Sequence, residues 1–337
     1  MRKLSFLIFG AILSFGCIGG AKKEISVSAA TDERTVYVGG MSAGFTLKTG
    51  GAQVIGLSEI VTEKGTCSPA LTSGLRTGDK IQKIQGIRVD SITDLNEIVE
   101  KSKGVELNVE ICRGGETLNL AVTPVKETVT NKYKIGVLVR DSVSGIGTVT
   151  YIDKTTGRFG ALGHAVTDQT NKTMSLSDGT VYTCSIVGVS KGVRGKAGEL
   201  RGMFLNDKCF GKAEKICNCG IFGYISEDFQ PTECMSAVAN SQAAKPGAAV
   251  IYSTVSGVEA KRYNVEIVKV EKYNKENKNY VLKITDEQLI SETGGIVQGM
   301  SGSPILQDGY LIGAVTHVFL NDPTRGYGID INQMLIE

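Results

Sequence analysis

Glycine interrupts this sequence at short intervals, and that pattern limits most strongly what the chain can fold into. The 337 residues include 42 glycines but only six prolines and no tryptophan. Between the glycines lie short runs rich in valine, isoleucine, threonine and tyrosine, whereas long runs with apolar residues at helical spacing are scarce. Short β-branched runs bounded by turn residues are typical of strands. The chain is therefore predicted to be mainly β, and its length allows two or three domains.

The charge of the chain is nearly balanced. It carries 37 basic and 35 acidic residues, a net charge of +2. A protein that binds nucleic acid usually has a strongly basic surface. No nucleic-acid partner is therefore expected.

The N-terminus departs from the glycine-rich pattern. Met1-Arg2-Lys3 is positively charged, residues 4–18 are almost all apolar, and small residues lead to Ala21. This order is typical of a secretory signal, although the apolar run is shorter than the roughly 20 residues that span a membrane. Residues 1–23 are therefore predicted to be a signal peptide or membrane anchor, followed by a linker over 24–34. The protein is expected to be exported.

A compact first domain is predicted over residues 35–122. Ser68-Pro69-Ala70 precedes Gly74-Leu75-Arg76-Thr77-Gly78-Asp79-Lys80-Ile81, and an amphipathic helix is predicted from Asp94 to Lys101 with Thr93 as its cap. These motifs resemble those of PDZ domains in bacterial proteases. The resemblance implies a domain that clamps a peptide.

The same resemblance implies where a peptide would bind. Ala43, Gly44 and Phe45 would form the loop whose N–H groups hold a peptide C-terminus, and Thr46 and Leu47 would pair with the bound strand. An alternative is that Gly44 and Phe45 only form a turn and fill the core. The loop also departs from the usual Gly-Leu-Gly-Phe form, so internal or membrane-proximal segments are alternative ligands.

A serine near the C-terminus lies between glycines, in Gly299-Met300-Ser301-Gly302-Ser303-Pro304. A nucleophilic serine needs a tight turn and nearby backbone N–H groups that can face a developing oxyanion. Glycines permit such a turn and leave room for a substrate carbonyl. The alternative is an ordinary surface turn between strands. The loop resembles the nucleophile loop of chymotrypsin-like serine proteases, which implies that the N–H groups of Gly299 and Ser301 form the oxyanion hole.

The chain has only two histidines to serve as the base that such a serine needs. His164 lies between the small residues Gly163 and Ala165 and precedes the serine in the chain. It is the predicted base. His317 follows the serine on a predicted strand and is a candidate for the specificity pocket, with core packing as the alternative.

A carboxylate should orient the base. Asp286 follows the predicted strand over residues 280–284, and Asp168 lies four residues after His164. The order His, Asp, Ser is satisfied by either residue. Spacing favours Asp286 but leaves Asp168 as its rival.

Several long segments together resemble the SpoIVB (stage IV sporulation protein B) peptidase family. They are Gly-Ala-Leu-Gly-His-Ala-Val-Thr-Asp around His164, Ile-Thr-Asp at Asp286, and Gly-Gly-Ile-Val-Gln-Gly-Met-Ser-Gly-Ser-Pro-Ile around Ser301. The resemblance implies that these three residues are the catalytic triad. It also implies a chymotrypsin-like double β-barrel over residues 123–337.

The family resemblance further implies a role in endospore formation. The protein would be a signalling serine endopeptidase, exported across the forespore membrane into the intermembrane space. It would cut itself and a membrane-bound regulator, which releases a membrane metalloprotease that activates a late mother-cell sigma factor. No cofactor is expected. The alternatives are a non-catalytic PDZ adaptor and a general quality-control protease.

Half of the eight cysteines lie in one region, at Cys209, Cys217, Cys219 and Cys234. Their intervals differ from the paired Cys-x-x-Cys spacing of a zinc ribbon, so no metal site is predicted. In an exported protein they could instead form disulfides. The sequence leaves their state open.

Overall fold

The computed structural model describes the residues numbered 34–167, 173, 176–230 and 235–336. The predicted signal peptide or anchor (1–23) lies outside them, as do Asp168 and Cys234. Strands predominate, which confirms the prediction of a mainly β chain. Within this part of the chain, no helix is both long enough and apolar enough to cross a membrane.

Two strands begin the described chain, and a small α/β unit follows them. The elements up to residue 134 are β1 (Arg34–Val38), β2 (Ser42–Leu57), β3 (Ile60–Thr62), β4 (Gly65–Cys67), α1 (Pro69–Thr72), β5 (Lys80–Ile84), β6 (Ile87–Arg88), α2 (Ile92–Lys101), β7 (Leu107–Arg113), β8 (Glu116–Val122), β9 (Val125–Lys126) and β10 (Tyr133–Lys134). Apolar side chains from the second half of β2 and from α1, β5, α2, β7 and β8 pack into one buried cluster. This cluster is the core of the PDZ unit.

Helix α2 begins two residues earlier than predicted. Its N-cap is Ser91 and not Thr93. The Ser91 hydroxyl accepts a hydrogen bond from the Asp94 N–H at 3.1 Å, and the Asp94 carboxylate accepts one from the Ser91 N–H at 2.9 Å. This reciprocal capping box satisfies two N–H groups that the helix itself cannot.

The remaining strands form the second part of the chain. Its elements are β11 (Val137–Asp153), β12 (Arg158–Ala161), β13 (Asp178–Ser190), β14 (Glu199–Cys217), β15 (Gly220–Ile225), β16 (Ser236–Ala239), a 3-10 helix (Ser241–Ala243), β17 (Gly247–Ser253), β18 (Lys261–Val270), β19 (Tyr280–Ile284), α3 (Glu287–Thr293), β20 (Pro304–Gln307), β21 (Tyr310–Phe319), β22 (Asp322–Asp330) and α4 (Ile331–Leu335). Strands β11 to β15 surround a core that includes Phe159 and Phe210. Strands β17 to β22 surround another that includes Ile267 and Leu282.

Strand β2 runs through both parts of the chain. Its second half pairs with β5 and with the start of β11 in the PDZ unit. Its first half, residues 42–48, pairs with β11 on one edge and with β13 on the other. Strand β1 likewise pairs with β11 and β16. The predicted first domain (35–122) therefore begins with strands that also pair with the second part of the chain, because residues 34–48 are hydrogen-bonded to β11, β13 and β16.

The same pairing overturns the predicted peptide-binding residues. The strand that contains Ala43, Gly44, Phe45, Thr46 and Leu47 is hydrogen-bonded to a neighbour on both edges. A peptide can add to a sheet only where an edge is unpaired. The side chains at 43, 45 and 47 are also buried in the core around β11 to β15. The alternative that Gly44 and Phe45 fill the core is thus confirmed in part, within a strand and not a turn.

Candidate active site

The predicted serine lies in a tight turn, as expected. The N–H of Ser303 donates to the carbonyl of Met300 at 2.9 Å, which closes the turn around Ser301 and Gly302. Gly302 has φ +95°, and a Cβ there would clash with the carbonyl oxygen of Thr148. Only glycine adopts this φ readily and also leaves room for the Thr148 carbonyl. Ser301 therefore lies at the apex of a tight turn that packs closely against the backbone of β11.

Two buried threonines of β11 fix this turn from behind. The Thr148 hydroxyl donates to the carbonyl of Gly299, and the Thr150 hydroxyl donates to the carbonyl of Gly302, each at 2.8 Å. The Thr148 N–H also donates to the carbonyl of Ser301 at 2.9 Å. The sequence analysis missed both residues, although two threonines at alternate positions share one face of a strand.

The backbone around Ser301 leaves two N–H groups available. Within the described chain, neither the Gly299 N–H nor the Ser301 N–H donates a hydrogen bond. The carbonyls of the same two peptide units are bound: that of Gln298 accepts from the Leu200 N–H at 2.8 Å, and that of Met300 from Ser303. Because the C=O and N–H of a planar peptide point in opposite directions, both N–H groups are held facing away from these bonds. This is the arrangement that an oxyanion hole requires.

Both histidines line one cavity with Ser301. The cavity has a volume of about 460 Å³, and His164, Ser301, Thr316 and His317 are among its lining residues. The His164 and His317 ring centroids are 5.2 Å apart. The Ser301 hydroxyl donates to the carbonyl of Thr316 at 2.8 Å. The predicted nucleophile, base and pocket residue thus line the same cavity. In this structure the Ser301 hydroxyl is hydrogen-bonded to the backbone of β21.

An unusual backbone segment places His164 at this cavity. Leu162 and Gly163 both have positive φ, +72° and +68°. A Cβ on Gly163 would lie 3.0 Å from the Thr316 methyl group, so glycine is what allows the segment to approach β21. A non-glycine residue at positive φ is uncommon and is found mostly where surrounding structure enforces it.

The imidazole of His164 is oriented by a backbone carbonyl. Its Nδ1 lies 2.8 Å from the carbonyl oxygen of Ala165. A carbonyl can only accept, so Nδ1 carries the proton and Nε2 has a free lone pair. Burial lowers the pKa of His164 below its ordinary value, and the Ala165 hydrogen bond opposes this in part. The ring is therefore neutral at pH 7 and able to accept a proton.

His317 is also neutral at pH 7. Desolvation of the ring lowers its pKa to about 4, with smaller contributions from His164 and from Lys278. It lies on β21 opposite Tyr327 of β22, and its ring remains partly exposed to the cavity. The packing alternative therefore does not describe this residue, although its predicted role in specificity stays a prediction.

Asp286 does not lie beside His164. Its carboxylate accepts hydrogen bonds from the N–H groups of Leu289, at 3.1 Å, and Asn264, at 3.2 Å. It is the N-cap of α3, and it is absent from the residues that line the cavity. The prediction that Asp286 follows a strand is correct, but the helix that begins directly after Asp286 was not predicted. The rival, Asp168, lies outside the described residues.

Comparison with known proteins identifies the family of the chain. The sequence profile of the SpoIVB peptidase S55 family matches residues 131–335, and a PDZ profile matches residues 40–123. The first match covers more than half of the chain. The chain belongs to the SpoIVB peptidase S55 family.

Curated relatives match shorter stretches of this S55 peptidase. A putative zinc metalloprotease of Lactococcus lactis, LL2128, is 34% identical over 105 residues, 31% of this chain and 22% of its own length. The zinc metalloprotease RasP of Shouchella clausii is 29% identical over 150 residues, 42% of this chain and 36% of its own. The chain thus spans between about a fifth and a third of the length of these relatives.

Solved structures of a mycobacterial protease also resemble the S55 chain at low identity. The active form of Rv3671c from M. tuberculosis is 15% identical, with a TM-score of 0.36, and the match covers 58% of this chain and 74% of that one. The inactive form is 16% identical, with a TM-score of 0.33, over 56% and 81%. Family membership rests on the S55 profile, and the chain combines an S55 peptidase region with a PDZ region.

Cys209, Cys217 and Cys219, the described cysteines of the region between Cys209 and Cys234, are not among the residues that line the cavity. The Cys209 thiol donates to the carbonyls of Val181 and Gly211, and the Cys217 sulfur accepts from the Cys219 N–H. In the part of the chain that the structure describes, no three His, Cys, Asp or Glu side chains are arranged to hold a metal ion.

Proposed function

We propose that this serine peptidase is an endopeptidase in which Ser301 is the nucleophile and His164 is the general base. The observation that carries the proposal is the turn at Ser301, which presents a hydroxyl and two free N–H groups to a cavity that also contains a neutral histidine. Nucleophile, base and oxyanion donors in one cavity are the parts that acyl transfer needs.

The proposed reaction begins with rotation of the Ser301 hydroxyl away from the Thr316 carbonyl. Nε2 of His164 takes the hydroxyl proton, and Oγ attacks the peptide carbonyl. The N–H groups of Gly299 and Ser301 stabilise the oxyanion. His164 then protonates the leaving amine, and water releases the acyl group by the same steps in reverse order.

The carbonyl of Ala165 takes over one role that the sequence analysis gave to Asp286, because it fixes the tautomer of His164. A carbonyl carries no net charge, so it stabilises an imidazolium less than a carboxylate would. We therefore keep Asp168 as the candidate carboxylate, since it follows His164 closely in the chain. Asp168→Asn compared with Asp286→Asn tests this choice, and a larger fall in kcat for the second would reject it.

We further propose that the protein acts in sporulation signalling, in the intermembrane space of the forespore. Its own chain and a membrane-bound regulator would be the substrates, and the two barrels expected of a chymotrypsin-like enzyme would carry the site. Membership of the SpoIVB peptidase family supports this role. The PDZ domain would present a target segment through an edge other than residues 43–47.

Mass spectrometry of the full chain tests the activity. Incubated wild-type protein is expected to yield self-cleavage fragments, and Ser301→Ala protein is expected to remain intact with an unchanged circular dichroism spectrum. Fragments that persist in the variant, after contaminating protease is excluded, would reject Ser301 as the nucleophile. No cleavage of any substrate by wild-type protein would favour a PDZ adaptor. Broad digestion of unfolded proteins would favour quality control over signalling.

A further inference from the structure

The cavity beside Ser301 has walls that are almost entirely apolar. Polar side chains in its described lining come only from His164, Gln298, Ser301, Thr316 and His317, and no described lining residue is Asp, Glu, Lys or Arg. Both histidines are neutral at pH 7. The cavity therefore offers no charge to a bound side chain.

One wall lies next to the position where a substrate carbonyl must be held. The attacked carbon must lie about 3 Å from the Ser301 hydroxyl and close to the oxyanion donors. Ile296 and Val297 lie three and two residues before Gly299, and Val318 lies two residues after Thr316, whose carbonyl accepts the hydrogen bond of the Ser301 hydroxyl. A substrate held in this way would place the side chain of the attacked residue in the space that these three residues line.

The wall is built mainly from buried aliphatic side chains. Ile296 and Val297 are each only 2% exposed and belong to the core around β17 to β22, against which Val318 also packs. Leu320 lines the mouth and is 56% exposed. This wall cannot rearrange freely, because two of its residues are part of a packed core.

Electrostatics then selects the substrate. A lysine or aspartate side chain in this space would lose its water and meet no opposite charge, which is costly. A leucine or phenylalanine side chain would remove apolar surface from water, which is favourable. A volume of about 460 Å³ accommodates such large side chains.

We propose that the enzyme cleaves after residues with large, uncharged aliphatic or aromatic side chains, and that Ile296, Val297 and Val318 select them. This inference rests on the proposed nucleophile at Ser301. It limits the self-cleavage site and the cut in any protein target to apolar positions.

Activity-based probes test the specificity separately from the nucleophile. A small fluorophosphonate without a side chain reports whether Ser301 is reactive, with Ser301→Ala as the blank. Diphenyl phosphonates with leucine, phenylalanine, lysine and aspartate side chains report the preference. We expect the leucine and phenylalanine probes to label the full chain about 10- to 100-fold faster than the charged probes.

The outcomes separate the two hypotheses. No labelling of Ser301 by the fluorophosphonate would reject the proposed function. Fluorophosphonate labelling together with equal or faster labelling by the lysine or aspartate probe would reject only the apolar preference.

A matched pair of variants tests the wall itself. Val318→Asp should lower the rate with the leucine probe at least about tenfold and raise the relative rate with the lysine probe. Val268→Asp makes the same change at a valine that is 40% exposed and outside the cavity, so it should change neither rate. If Val318→Asp does not fold, Val318→Thr, which keeps the shape, should still slow the leucine probe severalfold. Unchanged preference in a folded Val318 variant would reject the assignment.

Discussion

Gly299→Ala tests most directly whether the backbone of the nucleophile loop forms an oxyanion hole. Gly299 has φ +98°, which an alanine rarely adopts, and a Cβ at this position would lie 3.1–3.2 Å from three side-chain atoms of Leu200. Holding a non-glycine residue in such a conformation costs about 1–3 kcal/mol. The variant is therefore expected to rotate the peptide between Gln298 and residue 299.

The cost of that rotation is about half of the strain it relieves. It breaks one hydrogen bond, from the Leu200 N–H to the Gln298 carbonyl, worth about 0.5–1.5 kcal/mol. The same rotation turns the N–H of residue 299 away from the cavity. Loss of one oxyanion donor lowers kcat about 10²- to 10³-fold, equivalent to about 2.7–4 kcal/mol. KM should change little, because the donor acts mainly in the transition state.

The assay is steady-state hydrolysis of a peptide with leucine at the scissile position, paired with thermal unfolding. Gly309→Ala is the control, since Gly309 has φ +84° in a turn outside the cavity and a Cβ there would meet nothing within 4 Å. It should lose stability like Gly299→Ala but keep its kcat. A Gly299→Ala enzyme with kcat within threefold of wild type would refute the oxyanion role of this N–H.

Thr148, His164 and Asp286 can each be tested by a separate measurement. Thr148→Val removes the hydroxyl that donates to the Gly299 carbonyl. Because this buried carbonyl is then unsatisfied, the free energy of unfolding measured in urea should fall by about 1–3 kcal/mol. Thr148→Ser keeps a hydroxyl and should retain most of the wild-type stability. Burial lowers the pKa of His164 below 6.5, and only the neutral ring can act as the base. The value of kcat/KM should therefore rise with pH through a midpoint below 6.5. A midpoint above 6.5 would contradict a pKa lowered by burial. Asp286→Ala should destabilise the chain by about 0.5–2 kcal/mol, because helix α3 loses its N-cap. Asp286→Asn can still cap the helix and should keep kcat within about threefold of wild type. A fall in kcat of about 10³-fold or more in the Asn variant would show that Asp286 belongs to the triad.

Local features of the site could be predicted from the sequence because their causes are local. The turn at Ser301 needs glycine on both sides of Met300-Ser301, and the glycines are visible in the chain. The scarcity of histidine left few candidates for the base. A cap at Asp286 was also visible in principle, since Asp-Glu-Gln precedes the apolar pair Leu289-Ile290.

Strand pairing over long distances could not be predicted in the same way. Which strand lies beside residues 43–47 depends on segments about 100 residues or more further along the chain. The meeting of His164 with His317 likewise depends on the close approach of Gly163 to β21. The residues Ala43-Gly44-Phe45 suit a carboxylate-binding loop, but they suit a packed strand equally well, because Gly44 leaves room for the ring of Phe204.

The pairing of residues 34–48 with the second part of the chain leads to a prediction about truncation. The residues that line the cavity include Phe45 and Leu47, which lie in the first half of β2. A chain cut to the predicted peptidase domain, residues 123–337, loses β1 and the strand that pairs with both β11 and β13. It should fail to unfold cooperatively and should not react with a fluorophosphonate.

A second deletion should succeed where that truncation fails. Lys48 and Ser142 lie directly opposite each other on β2 and β11, so residues 49–141 can be replaced by the two-residue hairpin turn Asn-Gly. Such a chain keeps residues 34–48 and the cavity walls. It should unfold cooperatively and react with the fluorophosphonate at Ser301. Reaction of the 123–337 chain with the fluorophosphonate would show that the first half of β2 is dispensable to the peptidase fold. Failure of the hairpin-closed chain would show instead that residues 49–141 are needed for that fold.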